Sequence, residues 1–339
     1  MNTKLRVGIL SFAHLHADGY INNLRMNPFV EFIGFSDDDA VRGVEVARKY
    51  DARYFSSHEA LIEERPDAVV VCSENSRHLP LVAMAAHAGV HILCEKPLAT
   101  TVEDARTMVD VCQQAGVVLM TAFPMRFNAP AIEVKRALTD GRVGQIIACT
   151  ATNQGECPYY HRSWFVDPLL AGGGAMADHI VHAADLLRWY LGSEVTRVYA
   201  QSNHILYAQE APEVETGGLV SLDFANGVFA TIDCSWSKPP YYPTWGGLTM
   251  GVIGDAGVVN LNAFKQMLTV YTASTSRSRW DFWGSDADQW MINEFIAAII
   301  EQRNPTVTGI DGLKAVEIVA AAYRSVASGQ PESIAAEWR

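Results

Sequence analysis

The chain has no long hydrophobic run. Apolar stretches such as Ala68–Cys72 fall far short of the roughly 20 residues that span a bilayer. The opening residues, MNTKLRVGIL, carry neither the apolar centre nor the cleavage site of a secretory leader. Positive charge is also scarce. Against 26 Lys and Arg stand 38 Asp and Glu, a net charge of −12, and no basic cluster interrupts it. This argues against a nucleic-acid partner and against an anionic membrane. The six cysteines, Cys72, Cys94, Cys112, Cys149, Cys157 and Cys234, form no C-x-x-C pair. A disulfide framework and a clustered thiolate zinc site are therefore disfavoured, and a reduced, cytoplasmic setting is expected. No H-E-x-x-H pattern occurs, and no metal is expected.

What is present is material for a large core. Hydrophobic residues make up 49% of the 339 positions and charged residues 19%, enough to fold and too apolar for disorder. The length suggests two domains. In the first part, strand-like runs (Leu5–Leu10, Phe29–Ser36, Ala68–Cys72, His91–Cys94, Val117–Ala122) alternate with helix-like segments. That alternation predicts a parallel sheet covered on both faces by helices. After about Gly144 strands follow one another directly, and Asn226-Gly227 between two alternating segments signals a hairpin. The expected fold is a Rossmann-like domain over 1–122, then a domain over 123–339 with an open, mainly antiparallel sheet. The C-terminal helices are left able to pack back on the first domain.

Three segments carry candidate chemistry. The first is the turn after the opening strand, where a dinucleotide fold places G-x-G-x-x-G. Here Ser11, Ala13 and His16 occupy the three glycine positions. Ser and Ala keep the turn small; His16 alters the packing. The second strand ends in Asp37, 21 residues beyond His16. An acid at that distance can accept bonds from the adenine-side ribose and repel a 2′-phosphate, which favours NAD over NADP. The second segment is Glu95-Lys96-Pro97 at the end of a central strand, where a lysine can hold a hydroxyl or developing alkoxide. The third is GGGAMADHIVH. On a helix Asp178 and His182 lie about 40° apart, so a carboxylate can support an imidazole base, and His179, about 100° from Asp178, can enter the same pocket.

Together these residues resemble the Gfo/Idh/MocA family, the relatives of glucose–fructose oxidoreductase and inositol dehydrogenase. The resemblance rests on the degraded turn, Asp37, Ser73/Asn75/His78, Glu95-Lys96-Pro97, Arg126-Phe127-Asn128 and GGG…Asp178…His182, and covers nearly the whole chain. It implies an NAD-dependent oxidoreductase acting on a sugar, cyclitol or related polyol. Lys96 and Asp178 would hold the reacting hydroxyl and His182 would act as base. The cofactor would meet Ser11, Phe12, Ala13, His14, Asp37, Ser73, Asn75, His78, Glu95 and Lys96. The substrate would meet Lys96, Arg126, Asp178, His179 and His182, together with Tyr159, His161 and Trp164, whose rings suit sugar faces. The resemblance further implies a cis peptide before Pro97 and a homodimer or homotetramer formed through the C-terminal sheet. Two other readings stay open: a tightly bound NAD used transiently in elimination, epimerisation or hydrolysis, and a cofactor-free binding protein on the same fold.

Overall fold

The computed structural model describes residues 4–242, 244, 246–265, 267–272, 277–282, 284 and 286–334. In chain order the strands are β1 (Leu5–Leu10), β2 (Val30–Ser36), β3 (Tyr54–Phe55), β4 (Ala68–Val71), β5 (His91–Cys94), β6 (Leu119–Thr121), β7 (Ile146–Glu156), β8 (Val195–Asn203), β9 (Gly217–Phe224), β10 (Phe229–Lys238), β11 (Gly246–Gly254), β12 (Val258–Asn262), β13 (Met267–Thr272), β14 (Arg277–Phe282) and β15 (Glu332–Ser333). The helices are α1 (Ala17–Met26), α2 (Ala40–Tyr50), α3 (His58–Glu63), α4 (His78–His87), α5 (Val102–Ala115), α6 (Ala129–Thr139), α7 (Pro168–Ala171), α8 (Ala175–Leu191), α9 (Ala287–Ile300) and α10 (Gly309–Ser328). Among the described residues no helix is long and apolar enough to cross a membrane.

The chain divides into two compact units. One contains residues up to Pro124 with Tyr159–Gly173 and Asp288–Val316; the other contains Met125–Pro158, Gly174–Ala287 and the residues from Glu317 on. The first unit holds a six-stranded sheet in the order β3-β2-β1-β4-β5-β6, with all its pairings parallel. Strands buried on both faces need no alternation, and β4 reads Ala-Val-Val-Val with every residue buried. Val69, Val71 and Ile92 pack with Val82 and Ala85 of α4, Met108 and Cys112 of α5, and Leu313 and Val316 of α10. Helix ends follow local chemistry: Asp39 caps α2, Thr101 caps α5, and Gly116 ends α5 in the left-handed conformation. The Lys96–Pro97 peptide is cis.

The second unit holds a seven-stranded sheet, β12-β11-β7-β10-β9-β8-β15, antiparallel except where β10 pairs parallel with β7. The Asn226-Gly227 turn joins β9 to β10, with Gly227 at φ 86°. Helix α8 packs against β7 and β10. The stretch 159–173 belongs to the first unit, whereas alternation alone assigned it to the second. The cause is aromatic packing: Trp164 and Phe165 stack at 3.9 Å, and the Trp164 indole donates to the carbonyl of Ala13.

Candidate active site

In the first unit the turn after β1 keeps a dinucleotide-type path without glycine. Ser11 adopts φ 69°, the left-handed region that a glycine would enter freely. Its Oγ accepts the Ala13 N–H at 3.1 Å, a local bond that offsets part of that strain. The Ala13 side chain is only a methyl group, so the small-residue requirement of a pyrophosphate turn is met. A nicotinamide dinucleotide therefore fits the backbone route and the side chains of this turn. Phe12 contributes differently from expectation. Its ring is buried edge-on against Phe35, at 4.8 Å between centroids, so its side chain serves the core.

Asp37 is fully buried and its oxygens are heavily engaged. Oδ2 accepts the Phe12 N–H at 2.8 Å and the Arg42 Nε at 2.8 Å; Oδ1 accepts the Asp39 N–H at 2.9 Å and Arg42 Nη2 at 2.7 Å. A carboxylate offers about four acceptor sites. Asp37 thus locks the turn to the end of β2. Asp38 and Asp39 are exposed there, Asp38 beside Arg77 at 2.6 Å and Arg42 at 3.5 Å. Ser73, Asn75 and His78 follow β4 and are all buried. Ser73 Oγ donates to the Glu74 carbonyl, and Asn75 donates to the Ala171 carbonyl at 2.8 Å. His78 Nδ1 faces the carbonyls of Pro97 and Leu98 at 3.1 Å, and Nε2 faces that of Ser73 at 3.3 Å. Burial pushes its pKa down. His78 buttresses the turn that carries Lys96; it is not exposed to a ligand.

Glu95 is the centre of a buried cluster. Oε1 accepts Tyr20 Oη at 2.5 Å and lies 3.1 Å from His16 Nδ1; Oε2 accepts the Lys96 N–H at 3.0 Å and lies 3.8 Å from His14 Nε2. Burial opposes the charge, but the His14 and His16 imidazoles outweigh it and hold the carboxyl far below the usual range. Burial also opposes protonation of His16, yet Glu95 raises its pKa. Lys96 itself is buried next to the cluster.

Trp164 is buried under the turn, and Phe165 stands 5.2 Å from the His14 ring. That corrects the expectation of Trp164 as a sugar-stacking ring: it is buried, its indole N–H is bonded to Ala13 and one face is stacked on Phe165. Tyr159 and His161 remain exposed.

In the second unit α8 begins against Glu215. This buried carboxylate accepts the N–H groups of Gly174 and Met176 and the hydroxyl of Tyr323. A negative charge is favourable at a helix N-terminus. Gly174 has no room for a side chain, since a Cβ there would sit 1.9 Å from the Glu215 carbonyl oxygen. Gly174→Ala is expected to destabilise the protein by about 3 kcal/mol, at the upper end of overpacking costs, measured as a lowered thermal midpoint. A midpoint within a degree of wild type would show that the start of α8 yields easily.

Asp178 Oδ2 lies 3.2 Å from His179 Nε2 and accepts the indole N–H of buried Trp236 at 3.2 Å. The imidazole seen on Asp178 is thus that of its chain neighbour, whose length lets it reach back. His182 follows one turn later and is partly buried. Asn153 donates to the His179 carbonyl and ties α8 to β7. Arg126 grips Asp185 through two bonds of 2.7 and 2.6 Å, with both side chains buried. The guanidinium expected to meet substrate is consumed in anchoring α8. Glu215, just before β9, and Trp236, on β10, hold this helix and its acid from positions far along the chain. Helix α6 lies outside the helix-like segments expected from the sequence, although Asn128 caps it and Pro130 stands in its first turn.

The parallel sheet with its dinucleotide turn and the mixed sheet carrying a His/Asp helix define a two-unit nicotinamide oxidoreductase architecture. The first unit matches the oxidoreductase family model with an NAD-binding Rossmann fold over residues 5–123, and the second matches the GFO/IDH/MocA C-terminal domain over 131–260. The chain is 30% identical to 1,5-anhydro-D-fructose reductase of Ensifer adhaerens, over 90% of this chain and 91% of that one. It is 27% identical to myo-inositol 2-dehydrogenase of Thermotoga maritima, over 95% and 96%. Its fold superposes on GenD2 from gentamicin A biosynthesis, solved in complex with NAD, with a TM-score of 0.88 and 26% identity over 98% and 97% of the two chains. The protein belongs to the Gfo/Idh/MocA family of oxidoreductases.

Proposed function

We propose that the protein is an NAD-dependent oxidoreductase acting on a hydroxyl or keto group of a sugar, cyclitol or related polyol. The observation that carries this reading is the retained turn at β1, locked by Asp37, beside the buried Lys96 at the end of β5. The names of the relatives, a sugar reductase and an inositol dehydrogenase, support the substrate class. A bound nicotinamide supplies the hydride-accepting or hydride-donating carbon. The chain's own residues do the rest. The Lys96 ammonium holds the reacting oxygen and stabilises negative charge on it. His182 takes or returns the hydroxyl proton, and Asp178, fixed by Trp236, orients the polar end of the substrate. Tyr159 and His161 are placed at the sugar, and association of copies through the C-terminal sheet belongs to the same proposal.

The test is direct. Purified protein is denatured and any released dinucleotide identified by mass; the protein is then supplied with NAD and a panel of inositols and aldoses while absorbance at the reduced-nicotinamide band is followed. Reduction by a polyol supports the reading. No dinucleotide, no binding on titration and no reduction would favour a cofactor-free binding protein.

The preference for NAD is expected to depend on the acidic end of β2. Asp38 and Asp39, the exposed carboxylates there, repel a 2′-phosphate, while Arg42 is neutralised by Asp37 and Arg77 by Asp38. Isothermal titration should show NAD binding more tightly than NADP, and Asp38→Asn should narrow the gap several-fold. Equal affinities in the wild type would refute the acidic-end argument.

A further inference from the structure

The His16–Glu95–Tyr20 cluster is more than a Rossmann turn requires. A pyrophosphate turn needs small residues, yet this one carries two imidazoles, with ring centroids 4.4 Å apart, and a tyrosine aimed at a buried acid. Glu95 does not need His16 to be satisfied, because Tyr20 and the Lys96 N–H already donate to its two oxygens. A structural role would be served without a second ring that remains partly exposed, as the His16 side chain does at 23%.

The donor set His14, His16 and Glu95 also has the spacing of a metal site, with one ligand atom from each lying within 4.8 Å of the others. The tautomer of His14 argues against that use. The His16 backbone N–H donates to His14 Nδ1 at 3.2 Å, which places the remaining proton of a neutral ring on Nε2, the atom facing Glu95. A metal-bound imidazole has the opposite arrangement, with its second nitrogen donating outward.

We propose that His16 is a second proton-exchanging group of this enzyme, held by Glu95 and Tyr20, and that it moves a proton at the carbon beside the substrate's carbonyl. The proposal rests on the polyol oxidoreductase reading. Oxidation of an alcohol uses one proton acceptor for the hydroxyl; an independent imidazole is surplus to it. A carbonyl makes the adjacent C–H acidic. When that bond breaks, the proton passes to His16 Nε2, since Nδ1 is turned to Glu95, and the electron pair moves onto the carbonyl oxygen as an enolate. The neighbouring Lys96 ammonium stabilises that oxygen. Return of the proton to the carbon completes an exchange or an epimerisation; expulsion of a substituent from the next carbon, protonated by His16, completes an elimination. No oxidant is consumed in this step. Both histidine forms are needed, one to accept and one to donate, and the groups that set their balance are Glu95, Lys96, Asp288 and the Tyr20 and His14 side chains. Glu95 and Tyr20 are positioning residues.

The experiment needs no bound dinucleotide. A keto-inositol is incubated with the protein in D₂O, and deuterium entering the C–H beside the carbonyl is followed by NMR over a range of pH. Wild type should accelerate exchange above buffer, His16→Gln should slow it about 10²-fold, and Glu95→Gln should shift the rate profile to lower pH. Histidine-selective ¹⁵N spectra should show the His16 ring titrating lower in Glu95→Gln than in wild type. Wild-type exchange no faster than buffer, alongside polyol-driven reduction of NAD, would leave a plain dehydrogenase and a structural cluster. Undiminished exchange in a folded His16→Gln would place the proton on another group. If neither exchange nor NAD reduction occurs with any polyol, the oxidoreductase reading falls and this proposal falls with it.

Discussion

Replacing His182 with alanine is expected to lower turnover about 10²–10⁴-fold, the usual contribution of a positioned general base, while NAD affinity stays near wild type. Each factor of ten corresponds to about 1.4 kcal/mol of barrier. The reason lies in separate tasks: the dinucleotide turn is built from β1, β2 and Asp37, whereas His182 stands on α8 in the other unit. A base must be neutral to accept a proton, so the wild-type rate should climb with pH until the base is deprotonated. His182→Ala should flatten that limb. Asp178→Asn should act more mildly, because Trp236 and His179 can still hold an amide oxygen. Turnover is measured at saturating NAD with the polyol found in the screen, and NAD affinity by titration. Unchanged turnover would remove His182 from the chemistry. Loss of NAD binding as well would mean that the substitution reached beyond proton transfer.

Asp185→Ala should produce the largest loss of stability, about 3–5 kcal/mol. The Arg126–Asp185 pair is buried and bidentate. Removing one partner strands the other charge away from water, whereas replacing both by apolar groups of similar volume often costs little. Arg126→Leu combined with Asp185→Leu is therefore expected to be more stable than Asp185→Ala alone. Thermal melting reads this as a fall on the order of 10 °C for the single variant. The comparison also settles the role of Arg126. If Arg126 met substrate, its replacement would raise KM in protein of normal stability. The packing predicts the reverse, a low melting temperature with little change in KM for the molecules that remain folded.

The architecture was largely legible in the sequence, and the reasons are local. Val69-Val70-Val71 is β-branched and short, Gly116 ends a helix, and Asn226-Gly227 demands a hairpin; each acts within a few residues. The same holds for the helix that carries Asp178 and His182, and for Glu95-Lys96-Pro97 at a strand end. The parallel pairing of β10 with β7 was not legible, since register across some 80 residues is a matter of packing. Nor was the membership of 159–173. Its aromatic residues suit a sugar as well as a core, and only the Trp164 bond to the Ala13 carbonyl and the ring contacts with His14 decide.

The sequence by itself determined the two sheet types, most of the helices and which side chains could do chemistry, because periodicity, caps and turn residues act over one or two turns of chain. Tertiary structure decided which of those side chains are already committed. Asp37 has its lone pairs filled by Arg42 and two backbone N–H groups, Arg126 is bound to Asp185, His78 lies between carbonyls, and Trp164 lies beneath a turn. Nothing in a residue's own neighbourhood along the chain announces a partner 59 or 151 positions away. A buried polar group must find its partner wherever folding brings one, and that search ends only in three dimensions.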